Sequence, residues 1–365
     1  MSGDAVIRAR RVVAAGGVLE GHQVVIEEGR IVAVEPSTTG ADVHTIAPGF
    51  VDLQVNGIGD IDVETMTDDD WPQLDQALLA QGVTSWQPTL VTMGRDRYAE
   101  RLAHLDRRHA APGEAPSVIG VHLEGPFLGD RRGAHRWVTT GDIDLEWLAG
   151  LPRNVTMMTL GPERPNAAAA IELLVRRGVV VSLGHTDASH AAASAAVDAG
   201  ARSFTHCFNA STPLHHREPG AVAVALTDDR VYVGVIADGV HVHPTMIDLL
   251  RRSKPVDRVV FVTDAAGWRS GLGGRAIALR EGAPRLPDGT LAGSVLTMDE
   301  AVRRAIADCG FDVGAAVMAA STNPARLLGL DDRGSIETGR RADLVALTDE
   351  LRVDATWVSG RRHDA

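Results

Sequence analysis

Residues 154–188 read NVTMMTLGPERPNAAAAIELLVRRGVVVSLGHTDA and contain one complete structural unit. NVTMMTL (154–160) is an apolar, β-prone run of strand length, cut off by Gly161 and Pro162. PNAAAAIELLVRRG sets apolar residues at helical spacing and closes on two arginines and a glycine, residue types that suit a helix C-terminus. VVVSLG (179–184) is a second β-prone run, and it delivers the chain to His185. Strand, helix and strand in this order spell a βαβ unit, whose two strands lie parallel in one sheet.

The unit recurs through the middle of the chain. β-type runs also fall at 49–55 (GFVDLQV), 83–90 (VTSWQPTL), 117–123 (SVIGVHL), 202–207 (RSFTHC), 231–236 (VYVGVI) and 258–263 (RVVFVT). Amphipathic helical patterns such as DDDWPQLDQALLAQG and DASHAAASAAVDAG lie between them. Eight such strands, repeating every 25 to 35 residues or so, are the number that closes a barrel. Residues 48–332 are therefore expected to form a (β/α)₈ TIM-like barrel, an α/β fold; an open doubly wound sheet would normally have fewer strands. Residues 1–47 and 333–365 instead carry short β-type runs broken by turn residues, and are expected to pair into one small β-sandwich domain.

Composition narrows the function. The 365 residues can bury a large core, and 44% hydrophobic with 23% charged residues describe a globular chain. A net charge of −12 without a long basic run disfavours nucleic acid, and none is expected as a partner, though it leaves room for a local basic pocket. No stretch offers the roughly 18 uninterrupted apolar residues of a membrane helix, so no membrane partner is expected. MSGDAVIRARRVV lacks the apolar centre of a secretion signal, which makes the cytoplasm the expected address. Cys207 and Cys309 form neither a metal-type pair nor a disulfide framework.

Active sites of such barrels lie at the carboxyl ends of the strands. There the runs end in Gln54 and Asn56, Glu124, His185, His206, Asp238 and His241, and Asp264. Any one of them alone reads more simply as a hydrogen-bonded structural residue or a helix cap. Polar residues at the same end of five or six strands favour a site. One acid with two imidazoles suits a divalent ion, Zn²⁺ before others, and three protein ligands leave a position open for water. His122 shares the face of Glu124 one layer deeper and reads equally as an interior hydrogen-bonder. His22, His44, His104, His109 and His363 lie away from strand ends and are expected on the surface.

These residues resemble those of the N-acetylglucosamine-6-phosphate deacetylases, in the amidohydrolase superfamily. The resemblance runs through APGFVDLQVNG, GVHLEGPF, RRGAHR, SLGHTDA, THCFNASTPLHHREPG, IADGVHV, VTDA, GTLAGSVLTMDEAV and GSIETGRRADLVAL. It implies a metal-bearing barrel with a β-sandwich built from both termini. It further implies that Glu124, His185 and His206 hold the metal and that Asp264 is the acid/base. Ala134, His135, Asn209, Ala210, His241, Leu291, Ala292 and Gly293 match substrate-contacting positions. Arg217 matches a phosphate contact supplied by the neighbouring subunit, which implies a homodimer. Many amidohydrolases carry a His-x-His pair on the first strand for a second metal; here Gln54 and Asn56 stand instead, and neutral amides favour a single ion. Fe²⁺ and Co²⁺ tolerate the same ligand set as Zn²⁺.

The implied reaction is hydrolysis of N-acetyl-D-glucosamine 6-phosphate to D-glucosamine 6-phosphate and acetate, in amino sugar catabolism. GDRRGAHRW is expected to form a lid. Cys207 and Ser211 stand where the family usually has Leu and Met, and the segment AGWRSGLGG after Asp264 lies outside the matching motifs. These departures keep N-acetylgalactosamine 6-phosphate or another N-acyl sugar open. A cyclic-amide hydrolase and a catalytically silent metal-binding barrel are the other two readings.

Overall fold

The computed structural model describes residues 4–109, 115–136, 138–272 and 274–365, with the side chain of His109 also outside the description. Eight barrel strands follow the chain in order: β1 (Phe50–Val55), β2 (Val83–Leu90), β3 (Val121–Glu124), β4 (Val155–Leu160), β5 (Val180–Leu183), β6 (Ser203–Phe204), β7 (Tyr232–Val235) and β8 (Val259–Phe261). Each pairs in parallel with the next. Beyond the last strand, Asp264 N donates to Gln54 O at 2.9 Å and Asn56 N to Ala265 O at 2.8 Å, which brings β8 back to β1.

The sequence period explains the layers. Strand residues are buried on both faces, as expected where side chains fill the barrel on one side and meet helices on the other. The helix Ala167–Arg176 buries Ala167, Ala170, Ile171 and Leu174, one face at 3–4 residue spacing, and stops at Gly178 with φ +78°. Phe50, Trp86, Phe204 and Phe261 are wholly buried. Each such aromatic contributes about 1.5–3 kcal/mol from area removed from water.

Two strands are shorter than their sequence runs. SVIGVHL splits into Ser117–Val118 and β3 because Gly120 takes φ +115°, and a Cβ there would lie 1.9 Å from Thr156 Oγ1. RSFTHC keeps only Ser203–Phe204, since His206 turns the backbone out of strand geometry at φ +29°. His104 is buried rather than exposed: its ring stacks on Trp71 with centroids 6.1 Å apart, because the helix Arg95–His109 lays that face on the barrel wall.

Strands Ala5–Ala14, Gly17–Glu27, Arg30–Pro36 and Val43–Pro48 join Leu344–Leu347, Val353–Val358 and Arg361–Asp364 in one seven-stranded sheet. Alternate residues, among them Ile7, Val24, Ile26, Ile46, Leu344 and Trp357, build a core of its own. Their neighbours Val13, Ala47, Val345 and Leu347 join the barrel core, so one sheet seals the barrel's flank. Among the described residues no helix is long and apolar enough to cross a membrane.

Candidate active site

Glu124 is the last residue of β3, and His185, His206 and Asp264 follow β5, β6 and β8 by two or three residues. The last three all take left-handed backbone, at φ +50°, +29° and +49°. This costs a non-glycine residue about 1–2 kcal/mol. Hydrogen bonds with neighbouring segments hold the turns: Cys207 N donates to Gly234 O at 2.7 Å, Ser294 N to Asp264 O at 2.8 Å and Thr186 N to Ala210 O at 3.0 Å. Such a kink at a strand end swings the side chain inward over the barrel mouth.

The four side chains meet. Glu124 Oε1 lies 3.2 Å from His185 Nε2 and 3.0 Å from His206 Nε2, and those two nitrogens are 3.1 Å apart. Two imidazole nitrogens cannot both donate to each other at that separation, but both can be ligands. Tetrahedral ligands about 2.0–2.2 Å from one Zn²⁺ lie roughly 3.3 Å apart, so the donor set fits a single divalent ion. His185 Nδ1 donates to Arg131 O at 3.0 Å, which fixes Nε2 as the lone-pair nitrogen, the usual outer bond of a metal-binding histidine. The other face of Glu124 looks to His135, with Oε2 and Nε2 3.5 Å apart, and the ligand atoms of Glu124, His135 and His185 lie within 4.8 Å of one another.

Gln54 and Asn56 act as clamps. Gln54 Nε2 donates to Glu124 Oε1 and to Asp264 Oδ1, each at 3.0 Å, and Asn56 Nδ2 donates to the same Asp264 oxygen at 2.6 Å. Asp264 Oδ1 is thereby engaged twice, which fixes the carboxylate and leaves Oδ2 for a proton.

Electrostatics separates the carboxylates. Burial and then the negative charge of Glu124 raise Asp264 to about 6, against the pull of His206, His241 and Asn56. Burial opposes the charge on Glu124 too, but bonds from His135, His185 and His206 outweigh it and hold its carboxyl well below the usual range. Burial, helped by the charge of His135, pushes His185 down to about 4 despite Glu124, so it is neutral at pH 7 and ready to ligate. In His206 the bond and charge of Glu124 overcome burial and raise the value.

The cavity above these groups has a volume of about 200 Å³. Ala134, His135, Asn209, Ala210, His241, Leu291 and Gly293 line it; Ala292 is buried in a small apolar cluster. Among the described residues Arg217 does not line the cavity of its own chain: it is exposed, with Nη1 2.8 Å from His216 Nε2. Of the expected lid, Gly133–Arg136 reach the cavity wall and Trp137 lies outside the described residues. His122 is an interior hydrogen-bonder, 2.8 Å from Thr159 Oγ1, and burial lowers it to about 4.

Three contributors, Thr92, Ile236 and Arg275, are not among the residues that the sequence singles out, and for Asp238, which it does place at a strand end, the structure supplies the contact. Asp238 accepts from Val240 N and His241 N at 2.8 Å, and its second oxygen lies 2.6 Å from His241 Nδ1, so it aims His241. Thr92, whose Oγ1 is 3.3 Å from His135 Nδ1, does the same for His135, and its place just after β2 was a usable signal. Ile236 and Arg275 also line the cavity. Ile236 looked like ordinary strand, and Arg275 belongs to an excursion with no periodicity.

Residues 45–362 match the amidohydrolase family. An N-acetylgalactosamine-6-phosphate deacetylase from Escherichia coli O157:H7 is 37% identical, over 98% of this chain and 98% of that protein. An N-acetylglucosamine-6-phosphate deacetylase from Danio rerio is 41% identical, over 87% of this chain and 84% of its own length. A mutant N-acetyl-D-glucosamine-6-phosphate deacetylase from Mycobacterium smegmatis, solved in complex with N-acetyl-D-glucosamine-6-phosphate, superposes with a TM-score of 0.92 at 36% identity, covering 99% of both chains.

Proposed function

The chain belongs to the amidohydrolase family, and from that premise we propose that it hydrolyses N-acetyl-D-glucosamine 6-phosphate to D-glucosamine 6-phosphate and acetate. The observation that carries the reading is the convergence of Glu124, His185 and His206 on one point, with Asp264 tethered beside them through Gln54. Relatives that act on such sugars support the substrate class. Glu124, His185 and His206 would hold one divalent cation, Zn²⁺ in preference to Fe²⁺ or Co²⁺. When bound, the cation acidifies water and polarises the acetamide carbonyl.

Asp264 is the proton carrier. With a value raised to about 6 it is ionised at pH 7 yet still basic enough to take a proton from the attacking water. It returns that proton to the amide nitrogen as the C–N bond breaks, so that the nitrogen leaves as a neutral amine and not as a prohibitively basic amide anion. The clamp on Oδ1 directs both transfers through Oδ2. His135, aimed by Thr92, stabilises the oxyanion or orients the sugar. Ala134, Asn209, Ala210, Leu291 and Gly293 shape the sugar pocket. His241, aimed by Asp238, meets the phosphate together with Arg217 of a second copy of the chain, in a homodimer. Residues 48–332 form the catalytic part and the terminal segments support it, in a cytoplasmic enzyme of amino sugar catabolism.

N-acetylgalactosamine 6-phosphate is the second reading, favoured by the 37% identity with the Escherichia coli enzyme over almost the full length of both chains. Acetate release from both phosphorylated epimers and their unphosphorylated forms, with metal content measured on the same preparation, tests these readings. The expected result is about one metal per chain and fastest release from the phosphorylated gluco sugar. Faster release from the galacto epimer selects the second reading. A metal-loaded protein that releases acetate from none of the four overturns both.

A further inference from the structure

An excursion between β8 and the helix Met298–Cys309 contributes Leu272, Arg275, Thr290, Leu291 and Gly293 to the cavity wall. Its Leu272, Leu286 and Ala292 pack on Val91 from the loop after β2, with Ala134 and Ile277 closing the cluster. Its hairpin turn at Gly282 packs beside Val240, the neighbour of His241. Between these contacts Arg275 lines the cavity, half-buried, with Nη1 donating to Ala134 O at 2.7 Å. That bond uses one of five guanidinium donors and fixes the plane of the group. Among the described residues Arg275 forms no ion pair, and the exposed Asp288 feels its charge without pairing with it. A fixed guanidinium without a counter-ion, on a cavity wall of a chain with net charge −12, is built for an anion from outside.

We propose that Arg275 is a specificity-determining residue that grips the phosphate of the sugar from within the same subunit, aimed by the carbonyl of Ala134. This rests on reading the site as one for phosphorylated amino sugars, and it adds a cation to that site which Arg217, on its exposed loop, does not supply to its own chain. The rival role for Arg275 is a latch that merely ties the excursion to the segment carrying His135.

Kinetics of the R275Q and R275K holoenzymes with phosphorylated and unphosphorylated N-acetylglucosamine, and calorimetric titration with D-glucosamine 6-phosphate and D-glucosamine, separate the two. For R275Q the ratio of kcat/KM between phosphorylated and unphosphorylated sugar is expected to fall about 10- to 100-fold, the value of one charge-assisted hydrogen bond, mostly through KM. Affinity for glucosamine 6-phosphate relative to glucosamine falls alongside. R275K, which keeps the charge but not the fork, recovers part of both and carries the test should R275Q fail to fold. Equal losses with both sugars, or an unchanged ratio, overturn the proposal. A wild type that binds glucosamine 6-phosphate through Arg275 yet releases no acetate would remove the deacetylase reading alone; active wild type with an unmoved ratio in R275Q would remove this one alone.

Discussion

Asp52, Glu124 and Asp264 are carboxylates buried in one barrel, and their proton affinities differ because their neighbours do. Glu124 faces three imidazoles and stays ionised; burial and then the charge of Glu124 raise Asp264 to about 6; burial, with a smaller push from the charge of Asp264, raises Asp52 to about 7 against bonds from Thr263 and backbone amides. Replacing Asp264 by Asn should keep the tether to Gln54 or Asn56 but remove the proposed proton carrier. Acetate release should then fall by about 10²–10⁴ while metal content, read by atomic absorption, stays at the wild-type level. Asp52 makes a stability prediction with a definite sign. Its folded value lies above the unfolded one of 3.8, so the folded protein holds the extra proton between these values and loses stability as pH rises through that window. The melting temperature from pH 5 to 8 should decline more steeply in wild type than in D52N; parallel slopes would contradict the assignment.

Strands and helices of the barrel were legible because their periodicity is local, and so was the row of polar residues at strand ends that contains Glu124, His185, His206 and Asp264. What the pattern could not carry are features set by contacts between distant segments. The left-handed turn at His206 depends on a bond from Cys207 to Gly234, and Arg275 reaches the cavity only because its excursion packs on Val91 and Ala134. Between elements, tolerance is small. A Cβ at Gly129 would lie 1.8 Å from Glu163 Oε1 and 2.7 Å from His185 O, and Glu163 itself accepts from Thr186 Oγ1 and Asp187 N beside His185, one of the proposed ligands. G129A should therefore cost about 1–3 kcal/mol and lower the metal retained after dialysis against a chelator. G16A, where nothing lies within 4 Å, should do neither.

At the scale of the whole molecule, Arg217 sits on an exposed loop off the cavity of its own chain, and the proposed homodimer gives it a place in the partner's site. Subunit mixing tests this: R217A and D264N chains, each nearly inactive alone, should regain about a quarter of the wild-type rate when mixed, since half the two-fold dimers then contain one complete site. A mixture no more active than its components would place Arg217 outside the partner's site. Beneath that, the account depends on one ion held by Glu124, His185 and His206 beside Asp264. An anomalous-scattering map at the metal's absorption edge, from crystals grown with D-glucosamine 6-phosphate, tests it most directly. The predicted result is one peak per chain, about 2.0–2.3 Å from Glu124 and the two imidazole Nε2 atoms; a peak that leaves any of the three unbound, or a second of equal height between Gln54 and Asn56, would contradict it.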